Sequence, residues 1–194
     1  MNKMILQLSA FLLIACGNAS SGKVELADAE NPEPAIAAMV VNDADWVDTD
    51  LGKYSYLVPV TVKLPKDAKL ERNGNGGVDA RLNDFYVITI SAQAVSSIPE
   101  LIKGAKSLTI GKTSRYKNIS LLVDEPVGFV YTYQMNDEAN GFAYQAQSHF
   151  FYAFERDGMF YSFEDNQAGI NVPGSAYTEQ LARNAYKIIK SSAK

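Results

Sequence analysis

The sequence is poor in the residues that form covalent cross-links and soft metal sites. Its 194 residues include one cysteine, Cys16, and one histidine, His149. A single cysteine has no partner for an intrachain disulfide, and one cysteine with one histidine cannot supply the ligand cluster of a zinc or copper site. We therefore predict no cofactor and no metal site, and we expect no transition-metal chemistry.

Long apolar runs and an excess of positive charge are also missing. The apolar segment near the N-terminus extends from Met4 to Ile14 and is interrupted by Gln7 and Ser9, whereas a helix that spans a bilayer needs about 20 apolar residues. The chain has a formal net charge of −4 at pH 7. Nucleic-acid binding depends on clustered lysine and arginine side chains that neutralise phosphates, so we predict no nucleic-acid partner.

The N-terminal segment has the layout of an export signal. Lys3 precedes the apolar segment, and the small residue Ala15 stands directly before Cys16. A basic start, a short apolar region and a small residue at the cleavage point are the parts of a secretory signal peptide. The four residues Leu13-Ile14-Ala15-Cys16 resemble the lipobox of bacterial lipoproteins.

This resemblance implies that the chain is cut before Cys16 and that this cysteine is the lipid attachment site. Lipid attachment would explain an unpaired cysteine in an exported chain, and two or more acyl chains anchor a protein stably to a membrane. Gly17 and Asn18 follow the cysteine, without the aspartate that resembles an inner-membrane retention signal. We expect a lipid-anchored envelope protein that faces the periplasm, with the outer membrane favoured. An ordinary signal peptide or an uncleaved N-terminus is the alternative.

Composition predicts three segments. Residues 1–15 are the predicted signal peptide. Residues 16–35 are small, polar and acidic, and a segment of this kind buries too little apolar surface to fold. We interpret them as a lipidated N-terminus with a flexible tether. Residues 36–194 have the length of one ordinary domain.

Apolar side chains recur at every second position in much of this domain, which predicts half-buried β-strands. The glycine-rich run from Asn73 to Gly77 lacks the Lys-Ser/Thr pair of a phosphate loop, so we predict a hairpin loop there. The predicted strands are Tyr54 to Leu64, Phe85 to Ser91, Ile119 to Val123, Phe129 to Met135, and a long hairpin from Phe142 to Glu164.

The long hairpin has a predicted register. Asp157-Gly158 provides the residue types that a two-residue type I′ turn requires. Counting outward from that turn pairs Arg156 with Met159, Phe154 with Tyr161, and Tyr152 with Phe163.

Two helices are predicted from caps and helical spacing. Ser97 with Glu100 fits a capping box, and the short helix that follows ends near Gly104. A longer helix begins at Ser175 and continues to the lysine-rich C-terminus. Its apolar stripe is Leu181, Ala185, Ile188 and Ile189. The predicted fold class is α+β, an antiparallel β-sheet of about five to seven strands packed with a short inserted helix and a C-terminal helix.

The order of these elements resembles the PsbP-like α/β sandwich over residues 53–191. The phrases Leu64-Pro65-Lys66-Asp67 and Gly158-Met159-Phe160-Tyr161-Ser162 add to the resemblance. Proteins of this superfold are mostly accessory and binding proteins, so the resemblance implies a role of that kind at the level of the fold. It implies no particular catalytic or binding residue.

Aromatic side chains are the main candidates for ligand contacts. The chain has 11 tyrosines, and exported domains that bind glycans or apolar ligands use aromatic surfaces with polar tips. Period-two placement fits core tyrosines as well, and this alternative stays open. The candidate ligand-binding residues are Tyr131, Tyr133, Tyr144 and Tyr152.

Catalytic and calcium-binding sites have weaker support. His149 is predicted to lie opposite the aromatic stripe of its strand, where a nucleophile, base and orienter arrangement would need partners contributed from elsewhere, so we interpret it as a structural or surface residue. The acids Asp43, Asp45, Asp48 and Asp50 do not match the spacing of a calcium loop. A hydrolase would need two carboxyls that converge in one cleft. The candidates for that role are Asp137, Glu138, Glu164 and Asp165.

The sequence thus predicts a membrane-anchored envelope lipoprotein with a non-catalytic domain. A protein partner in the envelope is the favoured ligand of this domain. A small apolar molecule or a glycan, held in an aromatic cleft, is the first alternative, and an acid-dependent hydrolase is the second. The oligomeric state does not follow from the sequence.

Overall fold

A computed structural model of the chain describes residues 42–83, 86–111, 116–136, 146–165 and 177–194. Cys16, the signal peptide and the tether lie outside the described residues. In the described part, the strands are β1 (Trp46–Asp50), β2 (Thr61–Pro65), β3 (Lys69–Arg72), β4 (Val78–Arg81), β5 (Val87–Gln93), β6 (Tyr116–Glu125), β7 (Gly128–Met135), β8 (Gln147–Arg156) and β9 (Met159–Glu164). The α-helices there are α1 (Ile98–Thr109) and α2 (Glu179–Ser192).

Seven strands form one antiparallel sheet in the order β3-β4-β5-β9-β8-β7-β6, and β1 pairs with β2 in a separate two-stranded sheet. The fold is therefore α+β, with one internal and one C-terminal α-helix, as the sequence predicts. Strand β9 pairs with β5 on one side and with β8 on the other. This places the end of the chain's last hairpin in the middle of the sheet.

The predicted hairpin and its register are confirmed for the described residues. Asp157 and Gly158 both have positive φ values, 53° and 76°, as a type I′ turn requires. Arg156 pairs with Met159, Phe154 with Tyr161, and Tyr152 with Phe163. The predicted start of the hairpin at Phe142, and the turn predicted after Asn136, lie outside the described residues.

Helix α1 begins where the sequence predicts and ends later. The Ser97 side chain accepts a hydrogen bond from the Glu100 backbone N–H, and the Glu100 carboxylate accepts from the backbone and side chain of Ser96. The predicted end near Gly104 is wrong, since the helix continues to Thr109. Good helix formers follow Gly104, and a single glycine costs a helix only about 1 kcal/mol.

Helix α2 has a different N-cap from the predicted one. Thr178 caps it by accepting a hydrogen bond from the backbone N–H of Leu181, whereas Ser175 lies outside the described residues. The predicted apolar stripe is confirmed, because all four of its residues are buried. The C-terminal residue is also held, since the backbone of Lys194 exchanges two hydrogen bonds with that of Thr61.

The first predicted strand is only partly correct. Thr61–Pro65 is a strand, but Tyr54 to Val60 is not, because a 3-10 turn at Leu51–Lys53 reverses the chain after β1. The carboxylate of Asp50 stabilises this turn by accepting from the N–H of Gly52. Two of the acids considered above as calcium ligands, Asp48 and Asp50, lie within β1. The glycine-rich run after Arg72 is a hairpin loop between β3 and β4, as predicted.

The sheet packs apolar side chains on both faces. One face meets α2 and the two-stranded sheet, in a core that includes Val62, Ile88, Phe163, Leu181 and Ile189. The opposite face meets α1, in a smaller core formed by Leu101, Ile102, Ala105, Phe129, Tyr131, Tyr133, Phe151 and Ala153. We call these two surfaces the α2 face and the α1 face.

Candidate functional site

The tyrosines predicted to bind a ligand do not share one surface. Tyr131 and Tyr133 are 1% and 2% exposed on the α1 face, whereas Tyr152 is 7% exposed on the α2 face. The pairing of β7 with β8 explains the separation. Tyr131 lies opposite His149 and on the same face, and successive residues of β8 alternate between the faces, so Tyr152 lies on the other one. Tyr144 lies outside the described residues. The three described tyrosines are core residues.

His149 is fully buried and sits among aromatic rings. It stacks on Tyr133 with ring centroids 5.2 Å apart and planes 11° apart, and Tyr177 lies 4.5 Å away on a tilted ring. Its Nδ1 is 3.4 Å from the Asp165 carboxylate. The predicted strand face is confirmed, but β7 supplies a second set of aromatic residues there.

Asp165 anchors this buried cluster at one end of the sheet. Its carboxylate accepts a 2.9 Å hydrogen bond from the backbone N–H of Phe150 and a 3.3 Å bond from the hydroxyl of Tyr86. Burial, followed by the charge of Asp165, holds the pKa of Tyr86 well above its ordinary value of 10.0. Since His149 and Asp165 are both 0% exposed, they cannot reach a substrate from solvent. We interpret the pair as a structural element of the core.

An open cleft lies on the α1 face, between the helix and strands β5, β9 and β8. Its volume is about 660 Å³, within the range of roughly 300–1,000 Å³ that is typical of small-molecule sites. The helix supplies one wall and the sheet supplies the floor. The described residues that line it are Gln93, Val95, Glu100, Leu101, Gly104, Ala105, Leu108, Thr109, Tyr116, Phe151, Ser162 and Glu164.

Glu164 is the carboxyl on the floor of this cleft. It ends β9 and pairs across the sheet with Phe151, so both side chains are directed to the α1 face. Among the described residues, none forms an ion pair or a side-chain hydrogen bond with its carboxyl group. Burial, and then the nearby charge of Asp165, raise the pKa of Glu164 from its ordinary value of 4.5. A carboxyl with a shifted pKa in a cleft is a candidate binding residue.

Four other polar residues that line the cleft already form side-chain hydrogen bonds, namely Gln93, Ser162, Glu100 and Thr109. Gln93 donates a 2.7 Å hydrogen bond from Nε2 to the Ser162 hydroxyl, which fixes both side chains on the floor. At the rim, the hydrogen bonds from Ser96 lower the pKa of Glu100, so this carboxyl stays charged at neutral pH. Glu164 therefore stands out as the carboxyl on the floor to which no described side chain donates a hydrogen bond.

The acids proposed for a hydrolase do not converge in this cleft. Glu164 lines it, but Asp165 is fully buried beside His149 and is not among the residues that line the cleft. Asp137 and Glu138 lie outside the described residues. Within the described part of the chain, no group of three or more histidine, cysteine or acidic side chains is placed to hold a metal ion.

A second exposed feature is the turn between β1 and β2. Tyr56 is 74% exposed, with Tyr54 and Leu57 exposed beside it. The guanidinium of Arg72 lies 5.4 Å from the centre of the Tyr56 ring, a cation–π distance. We call Tyr54, Tyr56 and Leu57 the aromatic turn. Ser55 between them is buried and donates a hydrogen bond to the Gly76 carbonyl, which holds the turn against the β3–β4 loop.

Comparison with known proteins does not supply a function. No protein-family model matches the chain, and a search of curated proteins finds no similar sequence. In the described ranges, the helices are too short or too polar to cross a membrane. The cleft and the N-terminal motif are therefore the features that bear on function.

The sequence could name Glu164 but not the cleft. The cleft exists because α1 lies over β7 and β8 and leaves part of β5 and β9 uncovered, and this placement depends on contacts between distant parts of the chain. The sequence offers little local signal beyond Gly104, whose missing side chain leaves open space on the helix surface.

Proposed function

We propose that this chain is an envelope lipoprotein, anchored through Cys16, whose domain binds a small molecule without catalysing a reaction. The anchor rests on the lipobox-like residues before Cys16. The binding role rests on one observation, the open cleft on the α1 face with Glu164 on its floor. The buried tyrosines do not form such a cleft, so we place the ligand site between α1 and the sheet and not at these tyrosines.

The chemistry around the cleft favours binding over catalysis. A hydrolytic site needs two converging carboxyls or a nucleophile with a base. In the part of the chain described, His149 and Asp165 are sealed in the core, and Glu100 is engaged by Ser96. What remains is an apolar wall, a rigid polar floor and one carboxyl, the arrangement of a pocket that recognises a ligand.

Gly104 offers a direct test of the binding role. A Cβ atom at this position would meet nothing within 4 Å, so Gly104→Phe should place a ring in the cleft without disturbing the backbone. Gly104→Ala is the matched control that leaves most of the volume free. The full chain, solubilised in detergent, would be screened against a small-molecule library by ligand-observed NMR.

The expected result is a set of ligands that bind the natural chain and the alanine variant and fail to bind the phenylalanine variant. A screen in which every ligand ignores Gly104→Phe would reject the cleft as the binding site.

The anchor needs a separate experiment. Expression in a bacterium fed an alkyne analogue of palmitate should label the chain, and Cys16→Ala should abolish both the label and the recovery in membranes. An unlabelled chain of full mass in the cytosol would refute the anchor without affecting the cleft.

The aromatic turn supports a second candidate function, recognition of a protein partner in the envelope. Exposed aromatic residues are enriched at protein interfaces, and tyrosine and arginine are common at their energetic centres. Tyr56→Ser should then lower the recovery of a specific envelope protein after cross-linking. Met159→Ser, at an exposed apolar residue outside both the cleft and the aromatic turn, is the control and should leave that recovery unchanged.

A further inference from the structure

The charges around the cleft are of one sign. Two of its lining residues are carboxylic acids, Glu100 and Glu164, and none of the described lining residues is lysine, arginine or histidine. The two lysines of the helix, Lys103 and Lys106, instead line a different cavity beside Asp124 and Glu125, and Lys106 is paired with Asp124. A cleft of this kind attracts a positive charge and repels a negative one.

The surroundings of Glu164 make its charge costly in the absence of a ligand. The side chain is partly buried beside Phe151, and no described side chain donates to it. A carboxylate taken out of water is stabilised when an opposite charge comes within hydrogen-bonding distance. The raised pKa of this group has the same origin, which is burial.

The walls of the cleft limit the size and polarity of the ligand. Leu101, Ala105 and Leu108 form an apolar wall, and the rings of Tyr116 and Phe151 stand at the floor and end of the cleft. Aromatic faces attract ammonium groups as well as apolar bodies. A ligand that satisfies both parts carries one positive charge and a compact apolar or aromatic body.

We propose that the cleft binds a small organic cation, with its ammonium group on the Glu164 carboxylate and its apolar body against the wall of α1. The inference rests on the proposed binding function, because it assigns a ligand class to the same cleft. An anion would meet two carboxylates, and a neutral ligand of the same shape would leave the Glu164 charge uncompensated.

Three probes of nearly equal shape separate charge from shape. Phenethylamine is a cation at pH 7, 2-phenylethanol is neutral, and 3-phenylpropionate is an anion. Binding to the full chain in detergent would be measured by NMR titration at low and high salt. We expect the cation to bind at least about tenfold more tightly than the alcohol, since a hydrogen bond to a charged group is typically stronger by that factor. The carboxylate should not bind.

Two variants with the same change in net charge locate the effect. Glu164→Gln should weaken phenethylamine binding about tenfold and leave 2-phenylethanol unchanged. Glu155→Gln, at an exposed acid outside the cleft, should change neither probe. Thermal melting of each variant checks that it remains folded.

The outcomes distinguish this inference from the proposed function. Equal binding of cation and alcohol, both blocked by Gly104→Phe, would overturn the cation assignment and keep the cleft as a binding site. Binding of the cation that ignores both Gly104→Phe and Glu164→Gln would overturn both. The supporting result has two parts. Glu164→Gln weakens the binding of the cation but not of the alcohol, and Gly104→Phe blocks the binding of the alcohol.

Discussion

The two faces of the seven-stranded sheet are covered to different extents. Neighbouring strands lie about 4.8 Å apart, so seven strands make a surface roughly 29 Å wide, and one helix with its side chains is only about 10 Å across. The α2 face is closed because the β1–β2 sheet packs beside α2. In the described part of the chain, the α1 face has no second element of this kind.

Because of this difference, we expect the α2 face to contribute most to stability and the α1 face to carry the binding site. Side chains on the α2 face include Phe150, Phe163 and Leu181, all buried to 1% exposure or less. The α1 core is smaller, and three of its helical members are 7–9% exposed. The closed face holds the domain together, whereas the open face keeps a cleft whose polar groups face solvent. Substitutions on the two faces should therefore have different consequences.

Truncating one leucine on each helix should give the largest contrast. Leu181→Ala leaves a sealed cavity in the α2 core, and we expect a loss of about 4 kcal/mol in the free energy of unfolding. Leu101→Ala enlarges a cleft that water already enters, so we expect a loss of about 2 kcal/mol. Urea unfolding monitored by fluorescence measures both. Equal losses would show that the two faces are packed alike.

Glycine-to-alanine substitutions should change stability in opposite directions. A Cβ atom at Gly128 would collide with the Phe151 carbonyl oxygen and lie 2.7 Å from the ring of Tyr186, so Gly128→Ala should destabilise by about 2 kcal/mol. Gly104→Ala adds a Cβ in open space on a helix and should stabilise by about 0.5–1 kcal/mol. Calorimetry of both variants gives the sign. A stabilising Gly128→Ala would contradict the close packing of α2 on the sheet.

Local patterns predicted most of the elements and one full register. The Asp157-Gly158 turn set the pairing of β8 with β9 because a two-residue turn leaves one register. The Ser97 cap located the start of α1 for a similar reason, since its hydrogen bond spans only three residues. Features decided within a few residues are readable from sequence.

Features decided by distant pairing were missed. Alternation between Tyr54 and Leu64 looked continuous, but Val58 and Val60 are buried outside any strand, where the chain turns against β1. The tyrosines predicted to bind a ligand lie on different faces for a similar reason, since their placement depends on strand pairing. Tyr131 pairs with His149 rather than with Tyr152, and that register belongs to β7 and β8 together. Which face each aromatic residue serves therefore could not be read from one strand.

The two helix caps should protect different parts of the fold from opening. Ser97→Ala and Thr178→Ala each remove one side-chain acceptor from a helix N-terminus, and each should cost about 1 kcal/mol. Because α1 covers an open face, we expect Ser97→Ala to accelerate hydrogen exchange within α1 alone, through local opening. Thr178→Ala should lower the protection of the central strands as well. Identical exchange patterns in the two variants would argue against independent opening of α1.

The smallest expected effect is a pH dependence of stability. Glu125 and Glu164 lie on different faces, and the charge of one should stabilise the fold whereas the charge of the other should destabilise it. On the α2 side, Lys190 and Tyr186 donate hydrogen bonds to Glu125 and lower its pKa. This contribution to stability is present above pH 4.5 and is lost as the pH falls through the lowered value. On the α1 face, burial raises the pKa of Glu164, so charging it lowers stability once the pH exceeds 4.5.

The Tm values of Glu125→Gln and Glu164→Gln should therefore differ at pH 7 and become similar in acid. Glu125→Gln should lower the Tm at pH 7 by a small amount, since an exposed ion pair contributes only about 0–1 kcal/mol. Glu164→Gln should raise the Tm at pH 7, and the gain should shrink as the pH falls through the raised pKa of Glu164 toward 4.5. The nearby acids Asp165 and Glu100 remain in both proteins and cancel in the comparison. A Glu164→Gln variant that melts lower than the natural chain at pH 7 would mean that the charge of Glu164 is already compensated, and the open face would then have no unsatisfied group to offer a ligand.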